Sequence, residues 1–212
     1  MLGAGACIKS NYIKNKPPNV KNTTIYSTIQ SQHVREIFEK KKILTIDYTL
    51  RMRWLDPEIK VHQKASKNTK GISLTPLALS MIWLPDLHIH HRSSFQIGDE
   101  WRSMVNARIM PLDENNQIQS TEEEETTGVE LTYDIKVSVY CPFDYSYYPI
   151  DTQTCKVGFG SRSFETNFKL YDKDKKFHNL SNYKQGKFNV SVEFLEVSLD
   201  NSEMIMMKIL YG

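Results

Sequence analysis

Hydrophobic and polar residues alternate along two long stretches of this chain. From Ile43 to Trp54, the residues Leu44, Ile46, Tyr48, Leu50, Met52 and Trp54 share one parity, and Thr45, Asp47, Thr49, Arg51 and Arg53 share the other. Period two is the spacing of a strand with one buried face, so this segment is predicted as a half-buried strand with Thr49, Arg51 and Arg53 on its outward side. Val129 to Tyr140 repeats the pattern, with Val129, Leu131, Tyr133, Ile135, Val137 and Val139 inward and Glu130, Thr132, Asp134, Lys136 and Ser138 outward. A third alternation starts at Phe188, Val190, Val192 and Phe194, slips at Phe194-Leu195 and resumes through Val197 and Leu199. A slip of one residue predicts a β-bulge or bend there.

Shorter strand candidates are Thr24 to Phe38, Met104 to Met110, Cys155 to Phe159, Phe168 to Tyr171 and Met204 to Leu210, separated by polar turns such as Asp113-Glu114-Asn115-Asn116 and Asp200-Asn201-Ser202. Many short strands without a long amphipathic helix point to an all-β fold, an immunoglobulin-like antiparallel β-sandwich of about ten strands. A short N-terminal helix is compatible with that plan. The expected division is an N-terminal segment, residues 1–23, followed by one sandwich domain, residues 24–212.

Composition narrows the class. With 212 residues the chain is long enough for one continuous core. Lys+Arg 27 against Asp+Glu 25 leaves a net charge of +2, too small and dispersed for a nucleic-acid module. The most apolar stretch, Leu74 to Leu87, is broken by Pro76, Ser80, Pro85 and Asp86, so it does not span a bilayer. The start of the chain lacks the apolar block of a signal peptide, and the chain is expected to be soluble by itself. Glycosylation sequons stand at Asn22, Asn179 and Asn189, a weak pointer to secretion.

Three cysteines cannot all pair within one chain. Cys141 and Cys155 bracket CPFDYSYYPIDTQTC, an aromatic and rigid interval. A zinc site needs four ligands in paired spacing, and a thiol nucleophile needs a nearby His or a helix N-terminus. Neither is signalled, so a disulfide is favoured, and with it an oxidising compartment. Cys7 is the leftover thiol.

The pattern Cys141-x-Phe143-Asp144, then Tyr148-Pro149-x-Asp151, then Cys155 resembles the signature of the Cys-loop receptors, the pentameric ligand-gated ion channels, and of the acetylcholine-binding proteins. Trp54-x-Asp56, Trp83-x-Pro85-Asp86 and Gly158-Phe159-Gly160-Ser161 follow in the family's order. The resemblance covers about Thr24 to Tyr211, and Tyr145 departs from the aliphatic residue usual at its place. It implies the extracellular ligand-binding domain of a channel, or a secreted relative, assembled as a homopentamer with a small molecule bound between neighbours. Membrane contact would come only through helices absent from this chain.

The same resemblance distributes the site. The complementary face falls on Thr49, Arg51, Glu130 and Thr132, all on the polar parity of the two best strands. Arg51 matches the arginine that holds a ligand carboxylate in glycine- and glutamate-gated members, a task suited to a guanidinium fork. The principal face falls on His88, His90, Arg162, Phe164, Leu199, Asp200 and Met204. Acetylcholine-type sites surround a quaternary ammonium with aromatic rings. Here His90, Arg162 and Thr49 stand at three cage positions, so a non-cholinergic pocket favouring an anionic or zwitterionic ligand is expected, or one closed by its own salt bridges. Phe143, Tyr148, Pro149 and Asp151 match the loop that couples ligand binding to the pore.

No metal is expected, because His88 and His90 supply only two local ligands. No cofactor is implied. An enzyme is not expected, since no nucleophile elbow, phosphate loop or catalytic carboxylate pair is visible. A sandwich-fold adhesion module is the remaining competitor.

Overall fold

A computed structural model describes residues 6–18, 23–61, 71–91, 100–111, 127–147, 151–161, 165–170, 179–185, 188–199 and 202–211. Among them lie thirteen strands: β1 (Ala6–Ile8), β2 (Thr23–Phe38), β3 (Ile43–Leu55), β4 (Ile59–Val61), β5 (Ile72–Ser73), β6 (His88–His91), β7 (Glu100–Pro111), β8 (Thr127–Tyr140), β9 (Gln153–Gly160), β10 (Thr166–Leu170), β11 (Asn179–Gln185), β12 (Phe188–Leu199) and β13 (Ser202–Tyr211). The only helical pieces among the described residues are a 3-10 turn, Glu39–Lys41, and α1 (Pro76–Leu79), capped by the Thr75 side chain accepting from the Ala78 N–H. The N-terminal helix allowed by the sequence is replaced there by strand β1 and turns.

The strands build a six-stranded sheet, β10-β2-β3-β8-β7-β5, and a five-stranded sheet, β11-β12-β13-β9-β6, with β1 and β4 as a separate pair. The pairing is antiparallel except between β10 and β2, which run parallel. In β3 the inward parity is the one foreseen: Leu44, Ile46, Leu50, Met52 and Trp54 are fully buried. Val157, Phe159 and Ile209 of the five-stranded sheet are equally sealed. The Tyr48 and Phe159 rings stack across the core at 6.2 Å, and Trp54 meets Trp83 edge to face at 5.7 Å.

One local expectation fails. β12 pairs with β13 in unbroken register from Val190 with Tyr211 to Leu199 with Ser202, so there is no bulge at Phe194-Leu195. The irregularity sits instead between β11 and β12, at Leu180/Tyr183. A change of side-chain parity can follow a change in which face is covered, without an inserted residue.

The N-terminal residues are tied to the sandwich. The Tyr12 hydroxyl donates to Asp56 Oδ2 at 2.8 Å and accepts from the Trp83 N–H at 2.8 Å. Burial pushes the Tyr12 phenol above its ordinary value and raises the Asp56 carboxyl, although hydrogen bonds from Tyr12 and the Glu58 N–H oppose the latter. No helix among the described residues is long and apolar enough to cross a membrane.

Candidate ligand-binding site

The polar parity of β3 and β8 meets that of β7 on the outer face of the six-stranded sheet. Register sets the neighbours: Arg53 lies opposite Glu130, Arg51 opposite Thr132, and Glu130 in turn opposite Arg108. The result is one carboxylate shared by three guanidinium groups. Arg53 Nε donates to Glu130 Oε2 at 2.8 Å, Arg51 Nε stands 3.6 Å from the same oxygen, and Arg108 Nε stands 3.3 Å from Oε1.

Burial there differs from the sequence expectation. Glu130, Thr132 and Arg53 lie on the outward face, yet all three are buried. Parity says which side of a sheet a residue takes, and long arginine stems on neighbouring strands cover short polar groups on that same side. The Glu130 side chain retains 4% exposure, against 25% for Arg51 and 30% for Arg108. Below this row the Thr49 hydroxyl donates to Asp134 Oδ1 at 2.7 Å.

The structure thus brings Thr49, Arg51, Glu130 and Thr132 into one patch on two adjacent strands. Arg108 and Asp134 also belong to that patch and were not singled out from the sequence. Period two across Met104 to Met110 gives Arg108 its parity, but only strand register puts it beside Glu130.

Four of the principal-face positions, His88, His90, Leu199 and Met204, lie on strands of the other sheet. His88 pairs with Gly160 and His90 with Gly158, which places both on β6 beside β9. β13 flanks β9 on its other edge, with Ile205 opposite Phe159, so Met204 enters the same end of the sheet. Leu199 closes the β12–β13 ladder against Ser202. Arg162, Phe164 and Asp200 lie outside the described residues, as do Tyr148 and Pro149 of the cysteine loop and Asn22. Asn179 opens β11, and Asn189 is exposed on β12.

The cysteine loop is bridged as expected, Cys141 to Cys155 with Cα atoms 5.4 Å apart, and Cys7 is free and half-buried. Phe143 is buried beneath the loop and meets Tyr145 edge to face. Gln153, not anticipated from the sequence, staples the loop. Its Oε1 accepts from the Asp144 N–H at 2.8 Å, while its Nε2 donates to the Asp144 carbonyl at 2.6 Å and to the Asp151 carboxylate. The Ser146 hydroxyl and N–H hold the Asp144 carboxyl below the usual range. The loop also rests on the β2–β3 connection: the Cys141 N–H donates to the Lys42 carbonyl at 2.7 Å, and Lys42 turns the chain with φ 55°.

The sequence that folds into this bridged sandwich matches a known family. The profile of the neurotransmitter-gated ion-channel ligand binding domain covers residues 6–208. This chain belongs to that family. It is an extracellular receptor-type domain and not an enzyme. Similar proteins include the betaine receptor acr-23 of Caenorhabditis elegans, 25% identical over 76% of this chain and 28% of the receptor. The gamma-aminobutyric acid receptor subunit pi of Rattus norvegicus is 24% identical over 83% of this chain and 36% of its own length. The neuronal acetylcholine receptor subunit alpha-9 of Gallus gallus is 24% identical over 70% of this chain and 26% of its own length. The chain therefore spans roughly a third of the length of these relatives.

Proposed function

We propose that this chain binds a small neurotransmitter-type ligand between copies of itself in a homopentamer, as the extracellular domain of a ligand-gated ion channel. Residues 24–212 form the binding unit. The ligand is anionic or zwitterionic and its carboxylate is held by Arg51, with Thr132 and Thr49 beside it. His88, His90, Arg162, Phe164, Leu199, Asp200 and Met204 of the neighbouring copy form the opposite wall. Phe143, Tyr148, Pro149 and Asp151 pass the movement on toward a pore.

The observation that supports this most is the chemistry of the outer patch on β3, β8 and β7: three guanidinium groups around the Glu130 carboxylate, with no aromatic ring among Thr49, Arg51, Glu130 and Thr132. Such a surface suits a carboxylate and offers little to a bare quaternary ammonium. Two of the relatives are named for betaine and gamma-aminobutyric acid, each of which carries a carboxylate along with its cation. Thr49, Arg51, Glu130 and Thr132 lie on strands of the six-stranded sheet, and His88, His90, Leu199 and Met204 on strands of the five-stranded one.

A second reading, an assembly domain or secreted relative with an occluded site, is favoured by the burial of Arg51 Nε next to Glu130. Sedimentation equilibrium of the chain, followed by a binding screen over amino acids, betaines and choline esters, separates the two. A pentamer that takes carboxylate-bearing amines supports the first. A pentamer that binds none of them supports the second, and a strict monomer contradicts both.

A further inference from the structure

Glu130 places a carboxylate inside the arginine cluster to which the proposed function assigns the ligand. Its two oxygens already face Nε of Arg53, Arg108 and Arg51 at 2.8, 3.3 and 3.6 Å. Arg51 Nε is sealed from solvent beside Glu130, while a quarter of the Arg51 side chain is exposed. Glu130 itself sits on the central rung of the patch, opposite Arg53 on one strand and Arg108 on the other.

We infer that Glu130 is a built-in competitor for the arginine cluster: a tethered carboxylate that holds the three guanidinium groups in place and sets the threshold an incoming carboxylate must overcome. This rests on the reading that Arg51 receives the ligand carboxylate. Two carboxylates sharing one set of donors repel each other at short range in a poorly solvated patch. Entry of a ligand then requires Glu130 to give up at least its approach to Arg51, the longest of its three contacts, while its hydrogen bond to Arg53 persists. The geometry fits that division, because the tight partner is the buried arginine and the loose partners are the two half-buried ones. The same device makes the patch selective for ligands that bring enough binding energy to shift Glu130, and it offsets part of the cluster's positive charge when no ligand is present.

The test uses the 212-residue chain with Glu130→Gln, which keeps the shape of the side chain and removes its charge. Acetate is the probe, titrated at fixed ionic strength against sodium chloride, with the unfolding midpoint and calorimetric affinity as readouts. The expected result is that Glu130→Gln binds acetate about tenfold or more tightly than the unmodified chain and gains a midpoint shift that the unmodified chain lacks. If Glu130→Gln does not fold without added anion, Glu130→Asp, which keeps the charge but pulls it back by one methylene, is expected to show a smaller gain of the same sign. Equal affinity in all three chains, with binding abolished by Arg51→Ala, overturns the competitor role while leaving the carboxylate reading intact. No acetate response in any chain overturns both.

Discussion

Arg53 and Glu130 face each other across the β3–β8 pair, with Arg53 Nε donating to Glu130 Oε2 at 2.8 Å and both side chains almost fully covered. A buried ion pair of this kind adds little over a well-packed apolar pair, but removing one member strands the other in a poorly solvated place. Here the loss falls chiefly on Arg53, the covered member of the three arginines. Glu130→Ala is therefore expected to lower stability by about 3 kcal/mol or more. Urea denaturation checks this, and a loss below about 1 kcal/mol would mean the cluster is well hydrated.

Tyr12 closes the N-terminal segment onto the sandwich through one hydroxyl that serves both Asp56 and the Trp83 N–H. Tyr12→Phe keeps the ring but removes the acceptor of the Trp83 N–H and one of the two donors to the Asp56 carboxylate, which keeps the Glu58 N–H, and is expected to cost about 1–3 kcal/mol in the same assay. Faster proteolysis within the first residues should accompany that loss.

Asp56 and Asp144 give opposite pH dependences. Burial raises the folded-state pKa of Asp56, so the folded chain holds that proton more tightly than the unfolded one. The cost of burying it is absent below the unfolded pKa, about 3.9, and complete above the raised folded value. Stability contributed at this position thus falls as pH rises through that window, and Asp56→Asn should remove the slope. Asp144 is held low by Ser146, so its contribution is present above the unfolded pKa and fades as pH falls through the folded one. Being fully exposed, it should move the acid limb only slightly, and Asp144→Asn should flatten it.

The Cys141–Cys155 bridge closes a loop of about 15 residues, for which the chain-entropy account gives about 3 kcal/mol. Replacing both cysteines by Ala should cost roughly that much, and Gln153→Ala should cost less while loosening the loop. Hydrogen exchange at the Asp144 N–H, which Gln153 accepts, reports the second effect directly. Protection that is unchanged in Gln153→Ala would remove the staple from the account.

Period two was enough to place Leu44 through Trp54 in the core and Arg51 and Glu130 on the opposite side, because side-chain parity is a local property of an extended chain. The cysteine interval was legible for a similar reason, as a short segment whose ends must meet. What stayed hidden depended on pairing between distant strands. Arg108 reaches Glu130 only because β7 lies against β8 in one register, and the burial of Glu130 and Thr132 follows from neighbours on other strands. The bulge expected at Phe194-Leu195 is absent, because the β12–β13 register runs unbroken through it.

The central claim is that Arg51 receives a ligand carboxylate, and calorimetric titration of the assembled chain with the tightest carboxylate-bearing amine from the screen tests it most directly, compared with Arg51→Ala. A hydrogen bond to a charged group contributes about 1.5–3 kcal/mol, so the affinity is expected to fall by about 10- to 150-fold, with Arg51→Lys recovering part of the loss. An affinity equal in the unmodified chain and Arg51→Ala, with the assembly intact, would contradict the account.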